Sequence, residues 1–464
     1  MISARKRGVS RLAAAAAVTG LIAGGALVGA APAVADETHE QPGGATATLD
    51  GLKVYDRVTI HEGRPSHINA GLFEMSVDNG GTLQTYCIDI HNPTQDRARY
   101  QEVGWDKSSL HNNADAGKIL WILKNSYPQV NDLAALAEKA GVDKLTPQTA
   151  AAGTQVAIWR YSDHVNVTAD NPAAEKLADY LEKAARNIEE PKASLSLGPS
   201  AVSGKVGDKI GPITVDTNAQ TVTVAVGPEA EAQGVKLVDG NGQEVSSATD
   251  GTKLYLDVPK DAEPGSTTVT AQAATSVPVG RAFTGIGQHA KSQTQILAGS
   301  SESTVTARVS ATWAKQGPIP AVSAEKNCSE GGVDITATNQ GDEPFTFSLS
   351  GEQHTVEAGG SKTITVPVEE DQAYEITIKG PNGFEKTFSG VLDCQTVSEQ
   401  SPSAEPSPAT VGGNGDDSGD LAETGSSSNT PMIAAIAVAL VVVGGAVVFM
   451  VRKRKPSSAG ASEE

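Results

Sequence analysis

Two side chains in this sequence could make a covalent bond with each other: the cysteine of TYCIDI, Thr85 to Ile90, and the glutamine of TQVAIW, Thr154 to Trp159. A cysteine thiolate is a nucleophile, and a primary carboxamide held against it can be attacked at its carbon. Loss of ammonia then leaves an internal thioester, an electrophile that persists only where water is kept out. The chemistry needs Cys87, Gln155 and a shielded site.

Local elements can supply that site. LTPQTAAAGTQVAIWRYSD reads as a helix opened by Thr146 as N-cap and Pro147 at its first position. Helical spacing puts Gln155 on one face with Ala151, Ala152, Ile158, Trp159 and Ser162, turned toward an apolar wall. Upstream, 49–60, 70–77 and 82–90 read as strands separated by His/Gly/Pro and Asp-Asn-Gly-Gly turns. Cys87 falls inside the third strand, sharing a face with Leu83 and Thr85. Helices are expected at 115–125, 131–140 and from Asn171-Pro172 to about 188. Strands followed by helices predict an α+β head over 46–190. Around the cysteine, Asp89 is placed to assist proton transfer, and Trp159 packs in the core and shields the bond. Tyr86 points away, and His91 lies on the surface.

The pairing of TYCIDI with TQVAIW resembles the thioester domain, or TQxA domain, of Gram-positive surface proteins. The resemblance implies a thioester between Cys87 and Gln155 that captures a nucleophile, such as a lysine amine, on a target surface. Such a head turns over once and is a binding module, not an enzyme.

Composition bounds the rest. The chain has 464 residues, enough for about three domains. Aromatics are 4%, and 48 glycines with 24 prolines suit β domains rich in turns. The net charge of −19 becomes −23 once leader residues Arg5, Lys6, Arg7 and Arg11 are removed, which argues against nucleic acid as a partner. Of three cysteines, Cys328 and Cys394 flank one β-rich segment and are the natural disulfide, leaving Cys87 free. The eight histidines show no metal-ligand spacing and no phosphate loop is present, so no metal or cofactor is expected.

Residues 1–35 read as a secretory signal peptide, with a basic start, an Ala/Leu/Val/Gly run and Ala33-Val34-Ala35 before Asp36. After the head, alternating Thr/Val strands predict two all-β, immunoglobulin-like sandwiches, a stalk domain over 192–315 and a disulfide-bonded one over 321–396. Lys192 and Lys205 are candidates for isopeptide crosslinks in such stalks by analogy with other Gram-positive surface proteins. Residues 397–420, of Ser, Pro, Glu, Gly and Asp, are expected to form a disordered, wall-spanning linker. The region 421–464 begins with LAETG, Leu421, Ala422, Glu423, Thr424 and Gly425, and continues into an apolar span at 432–451, expected as a C-terminal transmembrane helix, and a basic tail, Arg452 to Lys455, expected on the cytoplasmic side. That arrangement resembles a sortase sorting signal, with Ala422 where the commoner signal has proline. It implies cleavage after Thr424 by a sortase, linkage of Thr424 to peptidoglycan, and a protein anchored on the cell wall of a Gram-positive bacterium. A plain membrane anchor is the alternative.

Two other functions fit the residues. One is a non-covalent adhesion or envelope-structural protein whose head is inert, toward an unidentified surface protein or glycan. The other is a Cys–His hydrolase, with His91, His111 or His164 as partner to Cys87.

Overall fold

The computed structural model describes residues 37–39, 43–370 and 372–394. The leader, the linker, LAETG and the apolar span at 432–451 lie outside the described residues. Among those described, no helix is long and apolar enough to cross a membrane.

After a short strand β1 (Glu37–His39), the head comprises β2 (Thr46–Ile60), β3 (Ser66–Val77), β4 (Thr82–Cys87), β5 (Arg99–Val103), α1 (Ala116–Asn125), α2 (Leu133–Ala140), α3 (Pro147–Ser162), β6 (Val167–Ala169) and α4 (Pro172–Ala184). The first sandwich contributes β7 (Leu195–Gly198), β8 (Ala201–Lys205), β9 (Lys209–Thr217), β10 (Val222–Ala225), the short α5 (Pro228–Ala232), β11 (Lys236–Val238), β12 (Ser247–Ala248), β13 (Lys253–Asp257) and β14 (Gly265–Ser276). Then come β15 (Ala282–Gly285), β16 (Gln295–Ser300) and β17 (Glu302–Ala314). The second sandwich holds β18 (Pro320–Asn327), β19 (Gly332–Asn339), β20 (Phe345–Leu349), β21 (Glu352–Val356), β22 (Ser361–Pro367), β23 (Ala373–Lys379) and β24 (Glu385–Val391).

The domain boundary expected near 190 is not where the head ends. Strands β14 and β17 pair in unbroken antiparallel register from Gly265 opposite Trp313 to Ser276 opposite Glu302. Between them the chain leaves the sandwich, and β15 and β16 join the head's sheet instead. That sheet runs β3-β4-β16-β15-β5-β2, and β2 also pairs with β3, so six strands close on themselves as a barrel with β6 attached to β2. The excursion is invisible to local pattern, because its short strands look like those on either side; only pairing with β4 and β5 assigns them.

Sheets β12-β10-β14-β17-β8 and β11-β13-β9-β7 make the first sandwich. Its core is continuous with that of the head, running from Leu83 and Ile158 to Val269 and Trp313. The second sandwich pairs β18-β19-β22 with β24-β23-β20-β21, the latter edged by β1 in parallel with β24. It has its own core around Phe345 and Phe347, whose rings stack at 5.2 Å. The Cys328–Cys394 disulfide is formed across a separation of 66 residues, a closure worth roughly 4 kcal/mol in the chain-entropy account. Lys192 and Lys205 are not buried beside an amide: they sit at the surface, paired with Asp250 at 2.7 Å and Asp342 at 3.0 Å.

A buried ion pair fastens head to sandwich. Glu102 on β5 accepts from the Ala45 N–H at 3.1 Å, from the Ser194 N–H and hydroxyl, and from Arg281 Nε at 3.0 Å. It thereby ties together the start of the barrel, the entry to the sandwich and the return into β15. The Arg281 and Glu102 side chains are 8% and 1% exposed. Removing one member of such a pair leaves a buried charge without compensation, so Arg281→Ala should lower stability by about 3–5 kcal/mol. A chemical-denaturation midpoint equal to wild type would show that this node does not hold the two parts together.

Candidate functional site

Helix α3 carries Gln155 through the middle of the head. Thr146 and Thr149 form a reciprocal capping box and Pro147 occupies the first turn. The helix is buried on nearly every side, which is wider than the single apolar face its spacing suggests. Gly153 is what allows this: a Cβ there would lie 2.5 Å from the Ala174 carbonyl oxygen of α4.

Cys87 is the last residue of β4, which stops three residues short of the strand end expected at Ile90. The chain turns there because the Asp89 N–H reaches back to Cys87 Sγ at 3.2 Å. On its other side Cys87 pairs with Gln295 of β16, and Ile88 N–H donates to the Thr294 carbonyl. Cys87 and Gln155 are both fully buried, and they meet through two hydrogen bonds. Cys87 N–H donates to Gln155 Oε1 at 3.0 Å, and Gln155 Nε2 donates to the Cys87 carbonyl at 2.8 Å. The carboxamide is thus pinned against the cysteine's own backbone, with its oxygen already on a hydrogen-bond donor.

The electrostatics oppose a resting thiolate. Burial pushes the Cys87 thiol well above its usual range, and the carboxylates of Asp163 and Asp89 add to the rise. The Asp89 N–H and the Trp159 side chain favour the anion but do not overcome desolvation. Trp159 is 3% exposed. Asp89 is fully buried, with Asn92 donating to its Oδ2 at 2.6 Å and Gln293 donating to its carbonyl at 2.7 Å.

Asp163 escaped the sequence reading. It caps the C-terminus of α3, two turns beyond Gln155, where it takes the Ile90 N–H at 2.9 Å and the Ser162 hydroxyl. Desolvation raises its carboxyl to about 6. The helical spacing of Gln155, Trp159 and Asp163 was the available signal; the missing part was that the β4 turn folds over that end of the helix. His91 is not the surface residue expected: its side chain is 9% exposed and its Nε2 lies 3.6 Å from Glu62. His164 is exposed, and His111 Nδ1 contacts the Ser108 carbonyl at 3.3 Å. Among the described residues no histidine hydrogen-bonds Cys87, the contact a Cys–His hydrolase would use. No cluster of three or more His, Cys, Asp or Glu suited to a metal occurs among them either.

A cleft of about 10 Å³, room for about one water molecule, adjoins the pair. Asn69, Phe73, Ile90, Gln155, Trp159 and Gln293 are among its lining residues.

Residues 84–187 match the profile of the thioester domain family, and residues 319–391 match that of the bacterial phospholipase C C-terminal domain. None of the curated proteins matches the chain. Among solved structures, the chain is similar to the Bacillus anthracis TIE protein at 16% identity and a TM-score of 0.26, over 76% of this chain and 81% of that one. The thioester domain of the Enterococcus faecium TIE86 protein gives 16% identity and a TM-score of 0.26, over 61% of this chain and 100% of that one. The D0–D1 domain of intimin gives 12% identity and a TM-score of 0.25, over 44% and 99%. The segment that matches the thioester domain profile, 84–187, contains both Cys87 and Gln155.

Proposed function

We propose that the head forms an internal thioester between Cys87 and Gln155 and uses it once, to bind a target surface covalently. The observation that carries this reading is the pair of hydrogen bonds holding the Gln155 carboxamide against the Cys87 peptide. In the first step the Cys87 sulfur attacks Gln155 Cδ while the thiol proton passes to a carboxylate of the site. Negative charge gathers on Oε1, which the Cys87 N–H already contacts. Collapse expels Nε2, protonated, as ammonia, and leaves the S–C bond.

In the second step an amine on the partner adds to the same carbon. The Cys87 sulfur departs and regains a proton, and an amide joins Gln155 to the partner. Asp163 suits the proton transfers better than Asp89, because its carboxyl changes charge near neutrality and lies at the mouth of the turn that follows Cys87. Above about 6 it is ionised and can accept the thiol proton; below, it is neutral and cannot.

The sequence supports delivery of this head to the outside of the cell: a leader, a linker, LAETG and an apolar span, with a sortase joining Thr424 to peptidoglycan. A covalent catch has no ordinary off-rate, which suits adhesion under flow to a surface protein or glycan. An inert, non-covalent head is the rival, favoured by the complete burial of both reacting side chains.

Methylamine distinguishes the two. The wild-type protein should take up one methylamine at Gln155, mapped by peptide mass, and Cys87→Ala none; no uptake at any concentration contradicts the covalent reading. The uptake rate should fall as pH drops through about 6. Asp163→Asn should lower the plateau on the order of 10²-fold, a usual contribution of a general base, and flatten that limb. A wild-type pH profile retained in Asp163→Asn would remove Asp163 from the mechanism.

A further inference from the structure

The backing of the Cys87 strand reaches into the second sandwich. Ile88 N–H donates to the Thr294 carbonyl at 3.1 Å, and the buried Thr294 hydroxyl donates to Asp393 Oδ2 at 3.0 Å. Asp393 directly precedes Cys394, whose bridge to Cys328 ties this closing segment to the end of β18. Leu392, Cys394 and Cys328 pack together in a small apolar cluster of their own.

Asp393 is itself 3% exposed, and its charge, like that of Asp89, acts on the Tyr100 hydroxyl. That hydroxyl donates to the Gln293 carbonyl at 2.9 Å. A carboxylate from the last described segment of the chain therefore belongs to the same buried polar cluster as the nucleophile.

We propose that Asp393, held by the Cys328–Cys394 bridge, is a positioning residue for the thioester: through Thr294 it fixes residues 293–295, the wall on which Cys87 is mounted. This inference rests on the Cys87–Gln155 reading above. The wall has two functions at the site. Gln295 is the sheet partner of Cys87, and Gln293 lines the cleft beside Gln155 while donating to the Asp89 carbonyl. Releasing Thr294 lets this wall move away from the acyl carbon and admits water. Hydrolysis then adds one water, returning the Cys87 thiol and converting Gln155 to a glutamate.

The test uses the full secreted chain and follows loss of the bond by intact mass, at fixed pH and well below the unfolding temperature. Asp393→Ala and Thr294→Val should hydrolyse faster by on the order of fivefold, the effect of one buried hydrogen bond. The double variant Cys328→Ser/Cys394→Ser should be at least as fast. Asp393→Asn keeps an acceptor for Thr294 and should behave as wild type. So should Glu325→Ala, which removes the 3.5 Å contact with Lys107 elsewhere on the border between head and second sandwich.

Equal hydrolysis in all variants overturns the proposal while leaving the thioester in place. A wild-type chain that keeps its ammonia overturns both. Hydrogen exchange gives a readout that needs no bond: in a Gln155→Ala background, Asp393→Ala should speed exchange of the Ile88 amide, and an unchanged rate counts against the brace.

Discussion

A buried amide group left without hydrogen-bond partners costs about 1–3 kcal/mol, and Gln155 meets that constraint with the backbone of Cys87 alone. Its oxygen and its nitrogen are both satisfied there, at 3.0 and 2.8 Å. Much of the head can be understood as what is needed to keep those two bonds. Helix α3 must run through the centre of the fold, so it is small-residued and closely packed on α4. Strand β4 must end at Cys87, so the Asp89 N–H closes back on the sulfur. The barrel must not open beside the cysteine, so β16 is supplied from within the first sandwich and pinned by Glu102 and Arg281.

The same dryness that preserves a thioester works against making one. Burial holds Cys87 as a neutral thiol, and two nearby carboxylates hold it more firmly. A site of this kind needs an internal proton acceptor, since bulk water is excluded along with its bases. Asp163 has the position for it, at the end of the helix that bears the electrophile. The cost of its burial is what brings its carboxyl near neutrality. Reactivity and protection are thus set by one physical cause, desolvation, which raises both groups toward their neutral forms: the thiol becomes inert and the carboxylate a better base.

The chemistry was more legible in the sequence than the architecture. Cys87 and Gln155 stand in motifs whose residue types name a reaction, and the capping signals at Thr146 and Pro147 place the helix start within a residue. Period-two alternation found the long strands of both sandwiches. It could not show that 282–285 and 295–300 leave the first sandwich for the head, because a strand's partner is not written in its own residues. Asp163, Gln293, Thr294 and Asp393 were missed for that reason: each reaches the site through pairing or docking. His91 was misjudged in the same way, since a lone histidine after a strand gives no sign that Glu62 will fold over it.

Covalent capture depends on one bond, between Cys87 Sγ and Gln155 Cδ, and the intact mass of the secreted protein reports it directly. With the bond formed, the chain is lighter by one ammonia than its processed sequence, with the deficit confined to a crosslinked pair of peptides carrying Cys87 and Gln155. A mass equal to the sequence, with Cys87 recovered as a free thiol and Gln155 as an unmodified amide, would contradict it.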